Sequence, residues 1–218
     1  MVKAFIFDLD GVLVDTAKYH YLAWKRLSEE LGLQFNLHDN EMLKGVSRTK
    51  SFEIILGLNN REMSAEEIDK YCAIKNSYYL DYINNLKQEE LMAGVREFLE
   101  CARNNGFKIA LGSASKNSML ILEKLNILDL FDAIVDGRVV KNAKPDPEIF
   151  LKGAEELGVE PGECIVFEDS LAGITAAHNG SMKAIGVNNN DIRPYCDYYI
   201  DNFISAEAIY MARKVLGE

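Results

Sequence analysis

Six short apolar segments, spaced along the chain, constrain its fold more than any other feature. They cover residues 3–7, 108–113, 132–136, 164–169, 183–187 and 198–200. Segments of helical length separate most of them, and the one after Pro147 places Ile149, Phe150, Ala154 and Leu157 at helical spacing. Short buried strands that alternate with helices are typical of a parallel sheet with helices on both faces. The sequence therefore predicts an α/β fold with a doubly wound parallel sheet.

Residues 16–90 depart from this alternation because they contain no convincing strand. Three helical stretches are predicted instead, over 16–32, 47–57 and 65–86, and the third starts at a capping box formed by Ser64 and Glu67. The simplest interpretation is an all-helical cap domain inserted after the first strand. We therefore predict a core domain of residues 1–15 and 91–218 and a cap domain of residues 16–90, which closes as a lid.

Composition and charge narrow the classes of partner. The formal net charge of −10 disfavours nonspecific attraction to nucleic acid or to an anionic membrane, and we expect neither partner. The four cysteines stand far apart without a CxxC pair, and no apolar run approaches a signal or membrane-spanning segment. These features predict a cytoplasmic protein with reduced thiols, and we expect a monomer. An anionic ligand would require lysine and arginine residues concentrated at its site.

Chemically active side chains follow several of the predicted strands. In an open α/β sheet, ligands bind beyond the carboxyl ends of the strands. Four segments deliver side chains to this edge, namely Asp8 and Asp10, Ser113, Lys144, and Glu168 with Asp169. Carboxylates crowded at one edge repel each other unless a cation is present, and Mg²⁺ prefers one or two carboxylates together with waters and phosphate oxygens. The sequence therefore predicts a magnesium site that also accepts a phosphoryl group.

The same residues suggest a reaction. Asp8 could attack phosphorus and form an aspartyl-phosphate, which is a recognised covalent intermediate. Asp10, two residues further on, could act as general acid and base. Ser113 and Lys144 could hold the equatorial oxygens of the transferring group.

Four motifs occur together and in the order typical of one superfamily. They are "DLDGVLVD" at 8–15, the strand-end Ser113, Lys144 within "AKPDPEIF", and "FEDS" at 167–170. On these motifs the sequence resembles the haloacid dehalogenase superfamily, which implies a Rossmann-like core fold. The resemblance implies an Asp8 nucleophile and Mg²⁺ held by Asp8, the Asp10 backbone carbonyl and Asp169. The carboxylate of Glu168 at the same edge is a further candidate ligand.

Four longer stretches point to one branch of that superfamily. They are "TAKYHYLAWKRL" (16–27), "LKGVSRTKS" (43–51), "IKNSYY" (74–79) and "ALGSASKNS" (110–118). They resemble the branch that interconverts β-glucose 1-phosphate and glucose 6-phosphate through β-glucose 1,6-bisphosphate, which is both intermediate and activator. The resemblance implies that Arg48 binds the non-transferring phosphate and that His20 couples lid closure to catalysis. The other residues implied in substrate binding are Thr16, Lys44, Gly45, Val46, Ser47, Ser51, Lys75, Ser113, Ala114, Ser115, Lys116, Asn117 and Lys144.

Ordinary structural roles compete with several of these assignments. Asp10 and the glycine after it could form a simple turn after the strand. Ser113 could be an ordinary strand-end serine or cap a helix, and Lys144 could be a solvated surface lysine. His20 lies on an apolar helical stripe and could be a core histidine, while Arg48 could only decorate a helix end.

Two rival functions also remain open. A phosphatase of the same superfamily would pass the phosphoryl group to water, and the helical insertion with "KGVSR" and His20 favours a sugar acceptor instead. A receiver-type signalling module also uses an aspartyl-phosphate on a doubly wound sheet. Such modules lack an inserted helical lid, which disfavours this alternative.

Overall fold

The chain forms a parallel sheet of six strands in a computed structural model, which describes residues 2–43 and 46–204. The strands are β1 (Ala4–Phe7), β2 (Lys108–Ser113), β3 (Ala133–Asp136), β4 (Cys164–Glu168), β5 (Lys183–Val187) and β6 (Tyr198–Ile200). Their order across the sheet is β3-β2-β1-β4-β5-β6, and all neighbours are parallel. The predicted doubly wound α/β fold is confirmed.

Eight α-helices accompany the sheet within the described residues. They are α1 (Ala17–Glu30), α2 (Leu37–Glu41), α3 (Arg48–Leu58), α4 (Ala65–Ile83), α5 (Val95–Asn104), α6 (Ser118–Lys124), α7 (Glu148–Leu157) and α8 (Leu171–Asn179). A membrane crossing needs a longer and more apolar helix than any found in this part of the chain.

Alternate residues of β1 face opposite layers of the core. Phe5 and Phe7 form an aromatic cluster with Phe98 of α5, at centroid distances of 5.9 and 6.1 Å. Ile6, between them, belongs to the second apolar cluster, which includes Phe150 of α7. Because both faces are covered, β1 is apolar at every position and fully buried.

The connection of the strands determines where the site forms. From β1 the chain continues to β2 and β3 on one side, and then crosses to β4, β5 and β6 on the other. The reversal of direction lies at β1, and ligands bind beyond the carboxyl ends of strands at such a point. Asp8 is the first residue after β1, and its backbone N–H donates to Phe167 O at 3.0 Å.

The chain separates into two compact units, one of residues up to 15 together with those from 87 onward, and one of residues 16–86. The smaller unit contains α1 to α4 and has its own apolar core, in which Trp24 stacks on Phe52 at 5.7 Å. The capping box predicted at the start of α4 is confirmed, since the Ser64 N–H donates to Glu67 at 2.8 Å. The sequence missed α2, because a helix of five residues is too short to show an apolar period.

Candidate active site

A buried lysine joins two carboxylates at the carboxyl edge of the sheet. Lys144 Nζ donates to Asp8 Oδ1 at 2.5 Å and to Glu168 Oε1 at 2.6 Å. The exposed fractions of the side chains are 9% for Lys144, 10% for Asp8 and 1% for Glu168. Lys144 is therefore not a solvated surface lysine, and the three predicted residues converge on one point.

The electrostatics of this group are unusual because it lies out of water. Burial raises the pKa of Asp8 to about 7, against the charge of Lys144, and the carboxylates of Glu168 and Asp10 add to the rise. Burial by itself would lower the pKa of Lys144, but attraction to Asp8 and Glu168 outweighs it and raises that pKa. Lys144 therefore stays protonated, and its positive charge favours the ionised form of Asp8.

Asp169 adds another carboxylate to the same edge. Burial raises its pKa to about 8, and repulsion from Glu168, Asp8 and Asp10 contributes. Gly11 makes room for it, since a Cβ built on Gly11 would lie 1.9 Å from Asp169 Oδ2. Gly11 also has a φ of +85°, which glycine adopts without strain. The dipeptide Asp10–Gly11 therefore forms a turn and also accommodates a site carboxylate.

A divalent cation would relieve the crowding of carboxylates at this edge. The pKa values of Asp8 and Asp169 are raised partly by the neighbouring carboxylates, and Mg²⁺, the predicted cation, prefers such oxygen ligands. Across residues 2–43 and 46–204, no three His, Cys, Asp or Glu side chains converge at ligand spacing. Both oxygens of Glu168 accept hydrogen bonds, from Lys144 and from the Ser170 backbone N–H and hydroxyl at 2.8 and 2.9 Å. The predicted metal role of Glu168 stays a prediction.

Ser113 ends β2 and begins a tight loop. Its Oγ accepts the Ser115 N–H at 3.1 Å, and Ser115 Oγ accepts the Asn117 N–H at 3.2 Å. The alternative that Ser113 caps a helix is wrong, because α6 starts only at Ser118 and Asn117 occupies its N-cap position. Ser113 is buried, whereas Ala114 and Lys116 are exposed. The loop therefore presents backbone and lysine groups beyond the end of β2.

Two further residues of this edge escaped the sequence analysis. Asn189 follows β5, and its side-chain amide donates to the backbone oxygen of Asp169 at 2.7 Å. Gly173, in the first turn of α8, lies against the Glu168 side chain. Asn189 could have been found by applying the strand-end rule to β5, whereas no sequence signal marks the contact of Gly173.

The helical unit holds a second group of predicted residues, centred on His20 and Lys75. Lys75 is 1% exposed, and its Nζ lies 2.8 Å from His20 Nδ1. The His20 ring also stacks on Tyr79 at 4.1 Å. Burial lowers the pKa of His20 well below 6.5, and the charges of Lys75 and Arg48 add to this shift. His20 is therefore a neutral imidazole that accepts a hydrogen bond from the Lys75 ammonium.

Arg48 is the first residue of α3 and is half-buried. The positive end of the helix dipole lies there, which makes a cation unfavourable to the helix, and the role of Arg48 in phosphate binding stays a prediction. The side chain of Ser47 caps α3 by accepting the Lys50 N–H at 3.3 Å.

Of the other predicted residues, Thr16 and Ser51 are buried and Val46 is half-buried. Lys44 and Gly45 lie outside the described residues.

The raised carboxyl pKa values predict a pH-dependent stability. Because Asp8 and Asp169 have pKa values of about 7 and about 8, against 3.8 as the ordinary value, the folded protein binds more protons than the unfolded chain between these limits. Their contribution to the free energy of unfolding therefore falls as pH rises from about 4 to about 8. Mg²⁺ requires the ionised carboxylates, so it should stabilise the protein more at about pH 8 than at about pH 5.

Urea unfolding at both pH values, with and without Mg²⁺, measures this effect. Asp169→Asn removes one of the two groups and should reduce both the pH dependence and the Mg²⁺ response. An equal stabilisation by Mg²⁺ at both pH values in the unsubstituted protein would contradict the prediction.

Comparison with known proteins identifies relatives of this chain. A family model for haloacid dehalogenase-like hydrolases matches residues 2–180. A curated β-phosphoglucomutase of Bacillus subtilis is 43% identical over 188 residues, which cover 85% of this chain and 83% of that protein. A phosphorylated carbohydrates phosphatase of Thermotoga maritima is 34% identical, with 84% of each chain covered.

A solved structure is similar over the full chain. The β-phosphoglucomutase of Clostridium difficile matches with a TM-score of 0.92, 38% identity and complete coverage of both chains. The family model covers well over half of the sequence. The chain belongs to the haloacid dehalogenase-like hydrolase family.

Proposed function

We propose that this protein is a Mg²⁺-dependent phosphomutase that interconverts β-D-glucose 1-phosphate and glucose 6-phosphate. The observation that carries the proposal is the likeness to two β-phosphoglucomutases. One is 43% identical over 85% of this chain, and the other is 38% identical over the whole chain. The buried group of Asp8, Lys144 and Glu168 supports it, because it places a carboxylate beside a fixed cation at one strand edge.

Asp8 acts as the nucleophile. Its carboxylate oxygen forms a bond to phosphorus while the bond from phosphorus to the sugar oxygen breaks, giving an aspartyl-phosphate. Lys144 engages Oδ1 of Asp8, so the attack falls to Oδ2. Lys144 and Ser113 hold the equatorial oxygens of the transferring group. Asp8, the Asp10 backbone carbonyl and Asp169 would hold Mg²⁺, which would supply further positive charge for that group.

Asp10 moves the proton in both directions. The phosphoryl group on Asp8 passes to the C6 hydroxyl of β-glucose 1-phosphate, and Asp10 accepts the hydroxyl proton. This step gives β-glucose 1,6-bisphosphate. After the bisphosphate binds in the opposite orientation, Asp8 takes the C1 phosphoryl group and Asp10 returns the proton to the C1 oxygen. Glucose 6-phosphate is released and phospho-Asp8 is regenerated.

A bisphosphate that binds in two orientations needs a second anion site. Arg48 supplies its charge, because a half-buried arginine at the positive end of α3 is unfavourable there without an anion. The planar guanidinium also suits bidentate phosphate contacts. Lys75 and neutral His20 complete the polar groups of the helical unit, and Ser115, Lys116 and Asn117 extend the core site.

A second candidate function is hydrolysis of sugar phosphates, which the 34% identity to a phosphorylated carbohydrates phosphatase favours. Both functions use the same aspartyl-phosphate and differ in the acceptor, which is a sugar hydroxyl in one and water in the other. The higher identity to a mutase favours the sugar hydroxyl.

An assay of two products separates these functions. The protein with Mg²⁺ is given α- or β-glucose 1-phosphate, with and without β-glucose 1,6-bisphosphate, and both glucose 6-phosphate and inorganic phosphate are measured. We expect glucose 6-phosphate from the β anomer, accelerated by the bisphosphate. Release of inorganic phosphate without glucose 6-phosphate would contradict the mutase and support the phosphatase.

Asp10→Asn is expected to lower kcat by about 100- to 1,000-fold, because the leaving sugar oxygen then lacks its proton donor. The fold and Mg²⁺ affinity should change little, since the Asp10 backbone carbonyl is the predicted ligand. Steady-state kinetics and calorimetric Mg²⁺ titration measure the two effects. A kcat within about 2-fold of the unsubstituted protein would remove the acid–base role from Asp10.

A further inference from the structure

A glycine of helix α8 lies where any side chain would collide with the buried carboxylate of Glu168. A Cβ built on Gly173 would lie 1.9 Å from both Cδ and Oε1 of Glu168 and 2.5 Å from its Cγ. Real Cβ atoms do not approach heavy atoms so closely, so a larger residue at this position must displace the carboxylate or the helix. A glycine inside a helix costs about 1 kcal/mol relative to alanine, which makes its presence here informative.

The displaced oxygen is the one that holds the active-site lysine. Glu168 Oε1 accepts Lys144 Nζ at 2.6 Å, and the same Nζ donates to Asp8 Oδ1 at 2.5 Å. The other oxygen of Glu168 accepts the Ser170 backbone N–H and hydroxyl at 2.8 and 2.9 Å. Ser170 Oγ in turn accepts the Gly173 N–H at 3.1 Å. The first turn of α8, Glu168 and Lys144 thus form one continuous chain of hydrogen bonds that ends at the nucleophile.

Neither the backbone of Glu168 nor helix α8 can move easily to relieve such a collision. Glu168 is the last residue of β4, and its backbone is held in the sheet opposite Gly186 of β5. Helix α8 packs Ile174 and Ala177 into the apolar core. The Glu168 side chain is therefore the part that would move, and its movement would break the contact with Lys144.

We propose that Gly173 and Glu168 are positioning residues, which together hold the Lys144 ammonium against Asp8. Gly173 acts by the absence of a side chain, and Glu168 acts by accepting the lysine on one oxygen and the start of α8 on the other. The consequence for catalysis rests on the proposed function, in which Lys144 binds the transferring phosphoryl group. The consequence for the position of Lys144 is independent of the substrate.

Gly173→Ala tests the proposal, with Gly57→Ala as its matched control. Gly57 also lies in a helix, but a Cβ there would have nothing within 4 Å, so this variant reports only the intrinsic effect of alanine in a helix. The first measurement is the rate at which acetic anhydride acetylates Lys144, determined by mass spectrometry relative to the exposed Lys3. We expect faster acetylation of Lys144 in Gly173→Ala and no change in Gly57→Ala.

The second measurement is steady-state kinetics of the Mg²⁺-loaded protein. Loss of the fixed ammonium should lower kcat of Gly173→Ala by about 10- to 100-fold with a smaller change in KM, since the contact is strongest in the transition state. If this variant fails to fold, as judged by circular dichroism, Glu168→Asp takes its place, because it withdraws the carboxylate from Lys144 without placing a side chain at position 173. Glu168→Asp should show the same acetylation of Lys144 and the same fall in kcat.

The outcomes separate the two ideas. Unchanged acetylation of Lys144 and a kcat within about 2-fold of the unsubstituted protein would overturn the positioning role. If acetylation of Lys144 is faster in Gly173→Ala but the unsubstituted protein turns over no β-glucose phosphate, the positioning role is supported and the proposed function is rejected.

Discussion

Replacement of Asp8 by asparagine is expected to abolish turnover, with kcat lowered by about 10⁴-fold or more. The amide cannot form the acyl-phosphate bond, so the reaction loses its covalent intermediate and not merely a contact. Asparagine keeps the shape of the side chain and removes a charge that is costly to bury, as the raised pKa of Asp8 shows. The variant should therefore remain folded and be at least as stable as the unsubstituted protein at about pH 8.

Three measurements define this result. Production of glucose 6-phosphate gives the loss of kcat, and urea unfolding shows that the fold persists. Incubation with radiolabelled bisphosphate tests whether the protein itself becomes phosphorylated, which we expect only with Asp8 present. Asp129→Asn, at an exposed aspartate of the same unit, is the matched control and should behave as the unsubstituted protein. Stable labelling of Asp8→Asn would place the nucleophile elsewhere.

Lys144→Met is expected to damage both activity and stability. Loss of the cation leaves the buried carboxylates of Asp8 and Glu168 facing each other without compensation, which should lower the free energy of unfolding by about 3 kcal/mol. The transferring phosphoryl group also loses a charged donor, so kcat should fall by about 1,000-fold. Methionine keeps the length of the apolar stem, which lies over the Phe150 ring with Nζ 4.7 Å from its centroid.

Lys3→Met is the control for Lys144→Met. Lys3 also pairs with a glutamate, Glu163, at 2.8 Å, but its side chain is 59% exposed. An exposed ion pair contributes less than about 1 kcal/mol, so this variant should be nearly neutral. The double variant Asp8→Asn with Lys144→Met should be more stable than Lys144→Met alone, because one uncompensated charge has been removed. Additive stability losses would contradict the coupling of Lys144 to Asp8.

The regular part of the fold could be predicted from the amino-acid sequence. Alternation of short apolar runs with helical segments is a local property, and it placed all six strands within a few residues of their observed bounds. The strand-end rule then selected Asp8, Ser113, Lys144 and Glu168, because in a parallel sheet all carboxyl ends lie at one edge. The capping box of Ser64 and Glu67 was visible for the same reason, since its two residues are three positions apart.

Contacts between residues distant in sequence were decided only by the tertiary structure. The pairing of Lys144 with both Asp8 and Glu168 depends on packing across 136 and 24 positions of the chain. The strongly shifted pKa values follow from burial, which no motif records. The sequence by itself determined which chemical groups reach the sheet edge, while packing decided which of them touch and which carry charge, because both depend on the exclusion of water.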